Sequence, residues 1–200
     1  MAGEIGMAMN QALPEADAAP PVDLRNFGWM ALAFALLAAI IWLDNRWLLN
    51  FVHVMCGVLW TGIDLFMGFV VGPLLRSAPF PARRAFVIRL TPKTLFLMPT
   101  LSILTTTAGY FHAKQLGFLS APYPAYYWVL GALAVVTILT IQGLGYLLPT
   151  NLKVYWELKK PQPDGARVGM LMKNYFKVVA IQGVMQVAII VIMARFVTGL

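Results

Sequence analysis

Long apolar runs separated by short polar loops dominate the sequence after its first 25 residues. Five of these runs are long enough to cross a bilayer as helices, which takes roughly 17 to 25 residues. They cover residues 27–43, 47–75, 92–114, 125–148 and 172–196. The pattern predicts an all-α, polytopic membrane helix bundle over residues 26–200. Residues 1–25, rich in alanine and proline, are predicted to form a flexible cytoplasmic tail.

Turn-forming and proline residues set the predicted helix ends. The turn Asp44-Asn45-Arg46 closes the first run. Thr91 has the character of an N-cap and Pro92 that of a first helical residue, so the third helix is predicted to begin there. Pro149 is predicted to end the fourth helix.

Basic residues cluster in two loops. The loops after the second and fourth runs hold Arg76, Arg83, Arg84, Arg89 and Lys93, and Lys153, Lys159, Lys160, Arg167 and Lys173. Because short cytoplasmic loops carry an excess of Lys and Arg, the amino terminus is predicted to be cytoplasmic and the carboxyl terminus periplasmic. We expect a multi-pass protein of a bacterial inner membrane, in which the net charge of +7 reflects orientation and not nucleic-acid binding.

Two histidines, the only ones in the chain, each lie inside an apolar run. His53 lies roughly 9 Å along the second helix from its outer end, at 1.5 Å per residue. His112 lies within a turn of the outer end of the third helix. The predicted topology therefore brings both to one level near the same membrane face, which suits a b-type haem held between two helices.

Small residues flank both histidines at helical spacing. Cys56 and Gly57 lie beside His53, and Ala108 and Gly109 lie beside His112. They either leave a gap for a flat macrocycle or allow membrane helices to approach closely, with each histidine hydrogen-bonded to a neighbouring helix. Since Cys56 is the single cysteine, the chain has no disulfide framework and no site for covalent haem attachment.

Asp64 is the only acid inside a predicted span. At 100° per residue, Trp60 and Asp64 project within about 20° of His53, so the three form one stripe on the second helix. Asp64 either pairs with Lys177 as a buried ion pair, or acts as a proton relay or a contact to a substrate. Gln142, Gln182 and Gln186 are expected either to complete a polar interior or to form separate interhelical hydrogen bonds.

The stretch FVHVMCGVLWTGIDLFMGFVVGPLLR, followed by TPKTLFLMPTLSILTTTAGYFH, resembles the opening helices of HemJ-type protoporphyrinogen oxidases. It is also similar to CopD-like copper-resistance membrane proteins and to the membrane domain of cytochrome-c-linked urate oxidases. The resemblance covers roughly residues 49–112. It matches His53 to the candidate haem ligand of that group, and Trp60 and Gly62 to its helix-packing signature.

The resemblance implies a membrane bundle that holds haem, with His53 as an iron ligand. Together with the predicted topology and the small residues at helical spacing, this predicts a non-covalent haem b bound by His53 and His112, with Trp60, Gly57 and Gly109 around it. HemJ-type proteins carry Pro-Arg-Leu-Phe-Val-Tyr-His where this chain reads GPLLR, so the implied class is electron transfer or oxidation in general. Expected redox partners are a quinone, a periplasmic cytochrome c or a porphyrinogen. Whether the chain is itself an oxidoreductase stays open.

Two other classes of function remain open from the sequence. One is a copper or small-solute transport protein, although the 11 methionines are scattered and not clustered with histidine. The other is a noncatalytic membrane anchor or assembly subunit, bound to a membrane protein partner or to further copies of itself. In every case the lipid bilayer is the expected surrounding.

Overall fold

The computed structural model describes residues 23–198, so the predicted tail lies almost entirely outside the described part of the chain. Within it the chain folds into five helices: α1 Asn26–Trp42, α2 Arg46–Ser77, α3 Phe80–Gln115, α4 Ala125–Leu158 and α5 Gly165–Val197. A single turn of 3-10 helix, Phe118–Ser120, lies between α3 and α4. The predicted all-α architecture is confirmed.

Four of these helices, α2 to α5, are long and apolar enough to cross a membrane, while α1 has 17 residues and is shorter. Large apolar side chains point outward along α2, including Phe51, Val58 and Phe66. Such a surface would be costly in water and suits contact with lipid. The structure is therefore that of a multi-pass membrane bundle.

The predicted turn between α1 and α2 is confirmed. Asp44 adopts a positive φ of 49°, which the short polar side chain of Asp tolerates. Asn45 then caps α2, because its side-chain oxygen accepts a hydrogen bond from the Leu48 backbone N–H at 3.0 Å. Gln115 at the end of α3 donates to the Asp44 carboxylate and ties α3 to this turn.

The predicted start of α3 at Thr91 and Pro92 is wrong. The helix begins at Phe80, and Pro92 and Pro99 both lie in its interior. Interior proline removes a backbone donor, but membrane helices tolerate it where hydroxyl side chains and neighbouring helices satisfy the freed groups. The hydroxyls of Thr94, Thr100 and Ser102 donate to carbonyls of α3, but not to the two carbonyls that Pro92 and Pro99 leave without their helical N–H.

The predicted end of α4 at Pro149 is also wrong, because the helix continues to Leu158. A π-helical segment, Ile141–Leu147, precedes Pro149. It widens the turn of the helix that the absent N–H of Pro149 would have bonded to. Likewise α2 contains the π-helical segment Met67–Val71 just before Pro73. α5 begins at Gly165, seven residues before the predicted run, because Asp164 caps it by accepting from the Arg167 N–H at 3.0 Å.

Three buried apolar clusters lie at successive levels of the bundle. One surrounds Leu49 and Ala108 at the end that contains both histidines, here called the histidine end. A second contains Trp60, Leu101 and Leu139. The third contains Ile88, Val154 and Leu158 at the opposite end, which also carries Arg84 and Lys173 and is called the basic end. α2 and α3 form the most extensive helix contact.

Candidate functional site

His53 is held by a backbone group of the facing helix. Its Nδ1 lies 2.9 Å from the carbonyl oxygen of Thr105 on α3. A carbonyl oxygen only accepts hydrogen bonds, so in the neutral ring Nδ1 carries the proton and donates it. The lone pair is then on Nε2, which is the tautomer needed for binding a metal through Nε2.

Gly109 makes this position of His53 possible. A Cβ placed on Gly109 would lie 2.5 Å from both Nδ1 and Cε1 of the imidazole, closer than real Cβ contacts allow. The ring therefore packs directly on the α3 backbone, one turn after Thr105. Cγ is the third nearest ring atom, and Nε2 is not among the three.

His112 lies on α3, three residues after Gly109, and interacts electrostatically with His53 and Arg46. Its Nδ1 is buried and has no hydrogen-bond partner in the described part of the chain. The structure thus brings the two predicted histidines together at one end of the bundle. A buried, unsatisfied ring nitrogen is unusual in a folded protein and requires an explanation.

The gap predicted between α2 and α3 is not present. Ala108 is fully buried, Cys56 packs against its cluster, and a Cβ on Gly57 would lie 3.3 Å from the Thr105 methyl group. Small residues here bring the two helices into contact, which is the alternative interpretation of their spacing. A flat macrocycle does not fit between these faces as they stand. Nε2 of His53 is not among the ring atoms that pack on Gly109, so a haem would have to reach it from outside the contact between α2 and α3.

Asp64 forms the second candidate site, deeper in the bundle. Its side chain is 8% exposed, and its Oδ2 accepts from Gln182 Nε2 at 2.6 Å and from Gln186 Nε2 at 2.8 Å. Trp60, one turn earlier on α2, is buried next to this carboxylate and lines the same cavity as Asp64. The predicted stripe of His53, Trp60 and Asp64 therefore faces the interior, and Gln182 and Gln186 form the predicted interhelical hydrogen bonds.

The predicted alternative of an ion pair between Asp64 and Lys177 is wrong. Lys177 is exposed and lines a different cavity, at the basic end. At 100° per residue, positions 177 and 182 project about 140° apart on α5, so only one of them can face α2. The glutamine occupies that face, and two neutral amides hold the carboxylate in place of a cation.

A cavity of about 100 Å³ adjoins Asp64, Trp60 and Gln182. Its wall includes hydroxyl and amide side chains from α3 and α4: Thr91, Thr94, Ser102 and Asn151. Both π-helical segments contribute to it, through Met67 on α2 and Gly143 on α4. Such segments occur frequently at functional sites, and a cavity of this size, mostly apolar with a few polar side chains, has room for several waters.

Three amide oxygens near the middle of the bundle lack partners. Oε1 of Gln142, Gln182 and Gln186 is buried in each case without a hydrogen bond in the range 23–198. Gln142 does not join the hydrogen bonds to Asp64. Unsatisfied acceptors beside a carboxylate suit hydrogen-bond donors, such as water, hydronium or a small solute.

Two features of these sites were not predicted. The Thr105 carbonyl has no sequence signal as a partner of His53, since every residue carries a carbonyl. Thr91 and Asn151 line the cavity beside Asp64 because α3 and α4 extend beyond their predicted ends. Had the longer helices been predicted, two polar side chains within them would have indicated a site.

Among residues 23–198, no group of three or more His, Cys, Asp or Glu side chains comes together as a metal site.

Comparison with known proteins yields no match, whether to protein-family models, to curated proteins or to solved structures.

Proposed function

We propose that the protein is a membrane-embedded b-type haem protein that acts in electron transfer or oxidation, in which Nε2 of His53 would hold the haem iron. The observation that carries this is the 2.9 Å contact between His53 Nδ1 and the Thr105 carbonyl oxygen. Metal-ligating histidines almost always donate their other N–H to a carbonyl or carboxylate, which fixes the tautomer and raises the basicity of the ligating nitrogen.

His112 supports the same site as the second candidate ligand, because its buried Nδ1 lacks a partner in residues 23–198. Haem would approach His53 from the Nε2 side, and Gly57 and Gly109 would act by holding α2 against α3. When bound, haem supplies reversible one-electron chemistry, and a site within the bilayer places that chemistry within reach of a quinone. A periplasmic cytochrome c or a porphyrinogen is the alternative redox partner.

Asp64 serves this function as a proton-holding group. It lies 11 residues beyond His53 on the same helix face, about 16 Å at 1.5 Å per residue. Its Oδ2 is oriented by two glutamine amides, and the adjoining cavity, whose wall includes four hydroxyl and amide side chains, would supply its proton through water. The resemblance to HemJ-type and CopD-like proteins and the periplasmic position of the histidine end remain predictions.

The decisive experiment is an absorption spectrum of the detergent-purified protein, oxidised and dithionite-reduced, with haem quantified as the pyridine haemochrome. We expect about one haem per chain in the wild type. His53→Asn retains an N–H donor close to the position of Nδ1 but has no atom in place of Nε2. It should therefore fold normally and lose haem.

His53→Ala, which removes both the donor and the ligand, is the companion variant. If His53→Asn and wild type contain equal haem, His53 is a structural hydrogen-bonding residue and the ligand assignment is wrong. A haem-free wild type from haem-replete cells would reject the function as a whole.

A second candidate function, small-solute or proton-coupled transport, is favoured by the Asp64 site. Ionisable residues within a membrane commonly mark ion or substrate pathways. Here the carboxylate adjoins a cavity bordered by two π-helical segments, and the Oε1 atoms of its glutamine partners have no hydrogen-bond partner among the described residues. Proton flux into proteoliposomes, read with a pH-sensitive dye, tests this directly. Asp64→Asn should abolish a flux that His53→Asn leaves intact, and equal flux in wild type and Asp64→Asn would exclude it.

A further inference from the structure

A second cavity, of about 520 Å³, lies at the basic end of the bundle. Its walls come from the end of α2, the start of α3, the end of α4 and the start of α5. Pockets that bind small molecules commonly measure about 300 to 1,000 Å³. The cavity shares part of its apolar wall with the smaller cavity beside Asp64, but neither His53 nor Asp64 lines it, so a ligand bound in it would contact neither residue.

Five cationic side chains line this cavity: Arg76, Arg83, Arg84, Lys173 and Lys177. None of them forms a salt bridge to a carboxylate within residues 23–198, where the two salt bridges found join Glu157 to Lys160 and to Arg167. Asp164, the next acid along the chain, caps α5. The cavity therefore carries a concentrated positive charge that the described acids do not neutralise.

Arg84 is held in place for binding an anion. Its Nε donates to the Leu158 carbonyl oxygen at 3.0 Å, which joins α3 to the end of α4. A guanidinium has five N–H donors, so four remain after this bond. A fixed guanidinium loses less conformational freedom when it binds a phosphate or carboxylate than a mobile one.

The rest of the lining is apolar and includes Val87, Val154, Met172 and Phe176. Below Lys177, one and two turns further along α5, Ile181 and Val184 are 54% and 70% exposed. This continuous apolar face borders the cationic cavity. The arrangement matches a molecule with an anionic head and a hydrocarbon tail better than a free anion.

The depth of the cavity agrees with this assignment. From Arg84 to His112, α3 runs 28 residues, or about 42 Å at 1.5 Å per residue. This matches the roughly 40 to 45 Å between the two headgroup regions of a bilayer. With His112 within a turn of one end of α3, the cavity lies at the level of the opposite headgroups.

We propose that this cavity binds the headgroup of one anionic phospholipid, with its phosphate at Arg84, Lys173 and Lys177 and an acyl chain on the exposed face of α5. Basic pockets between membrane helices are suited to lipid headgroups, and each Lys or Arg near an anionic leaflet adds about 1 kcal/mol of attraction. A general basic patch would attract many lipids weakly, whereas this cavity should bind one lipid per chain.

The test is native mass spectrometry of the full-length protein in detergent, titrated with phosphatidylglycerol and with phosphatidylcholine of the same acyl chains. We expect one phosphatidylglycerol per chain to bind more tightly than phosphatidylcholine. The double variant Lys173→Gln/Lys177→Gln should weaken that binding roughly thirtyfold, from two lost lysines. The control Lys153→Gln/Lys159→Gln removes the same charge at the same end, outside the cavity, and should change affinity less than about threefold.

Three outcomes would overturn the proposal. The first is equal binding of the two lipids, or equal weakening by the two double variants. The second is binding of glycerol 3-phosphate or inorganic phosphate as tight as that of phosphatidylglycerol, which would make the site one for a free anion. The third is lipid binding that appears only after residues 1–22 are removed, which would identify their acids, Glu4, Glu15 and Asp17, as the occupant.

Discussion

Replacing Gly109 with alanine tests the contact that positions His53. The new Cβ would lie 2.5 Å from Nδ1 and Cε1 of the imidazole, so the ring must move away from the Thr105 carbonyl. Losing that hydrogen bond costs about 1 kcal/mol, and forcing a methyl group into a close-packed contact costs about 1 to 3 kcal/mol. Alanine returns about 1 kcal/mol through its higher helix propensity. The free energy of unfolding should therefore fall by about 1 to 3 kcal/mol.

Gly62→Ala is the matched control, because a Cβ on Gly62 has no neighbour within 4 Å. That variant gains only helix propensity, up to about 1 kcal/mol. Stability is measured as reversible unfolding in sodium dodecyl sulfate and mild detergent, followed by tryptophan fluorescence. The haem content of the same samples shows whether His53, once displaced, still binds haem. If the two variants agree in stability within about 0.5 kcal/mol, the close packing of His53 on α3 is refuted.

The other predictions concern α2, α5 and the loop after α4. Asp64→Ala leaves two buried glutamine N–H groups without an acceptor and should cost about 2 to 6 kcal/mol in the same unfolding assay. Asp64→Asn retains an acceptor and should cost under about 1 kcal/mol, so equal stability of the two variants would contradict the hydrogen bonds to Asp64. Gly72→Ala places a Cβ 3.0 Å from Phe176 Cε1 and 3.2 Å from the Met67 carbonyl oxygen, and thermal unfolding should show a loss of about 1 to 3 kcal/mol. Its control, Gly143→Ala, has open space for the new Cβ and should lose no stability, with a gain of up to about 1 kcal/mol from helix propensity. Glu157→Gln weakens the contacts to Lys160 at 2.8 Å and Arg167 at 3.5 Å. It should speed amide hydrogen exchange across residues 159–164 with little change in α1, and unchanged exchange would show that these ion pairs do not order the loop.

Apolar run length predicted the helices well where polar turns bound them. The turn at Asp44 and Asn45 is one example. Asn45 caps α2 through a local hydrogen bond, which does not depend on whether the helix lies in water or in lipid. Proline misled the prediction at Pro92 and Pro149. Interior proline removes one helical hydrogen bond, a loss that membrane helices tolerate better than helices in water, and a π-helical segment precedes Pro149. Helix ends beyond the bilayer are therefore poorly marked by proline in this chain.

The candidate sites were predicted in part, for a geometric reason. Helical spacing places His53, Trp60 and Asp64 on one face, and the structure has all three facing inward. The spacing of residues along α2 does not show which residues of the neighbouring helices face these three side chains. Depth alone suggested Lys177 as the partner of Asp64, whereas the rotation of α5 brings Gln182 and Gln186 there. The same limit applies to Gly57 and Gly109, whose small size indicated either a gap or a contact.

The two ends of the bundle differ in how much empty volume they enclose. At the histidine end α2 and α3 touch through Gly57 and Gly109, while the basic end encloses about 520 Å³. Pressure acts on proteins in proportion to the void volume that it can eliminate. Hydrostatic pressure on the purified protein should therefore change the spacing of the basic ends of α2, α3 and α5 before it changes the contact of His53 with Thr105.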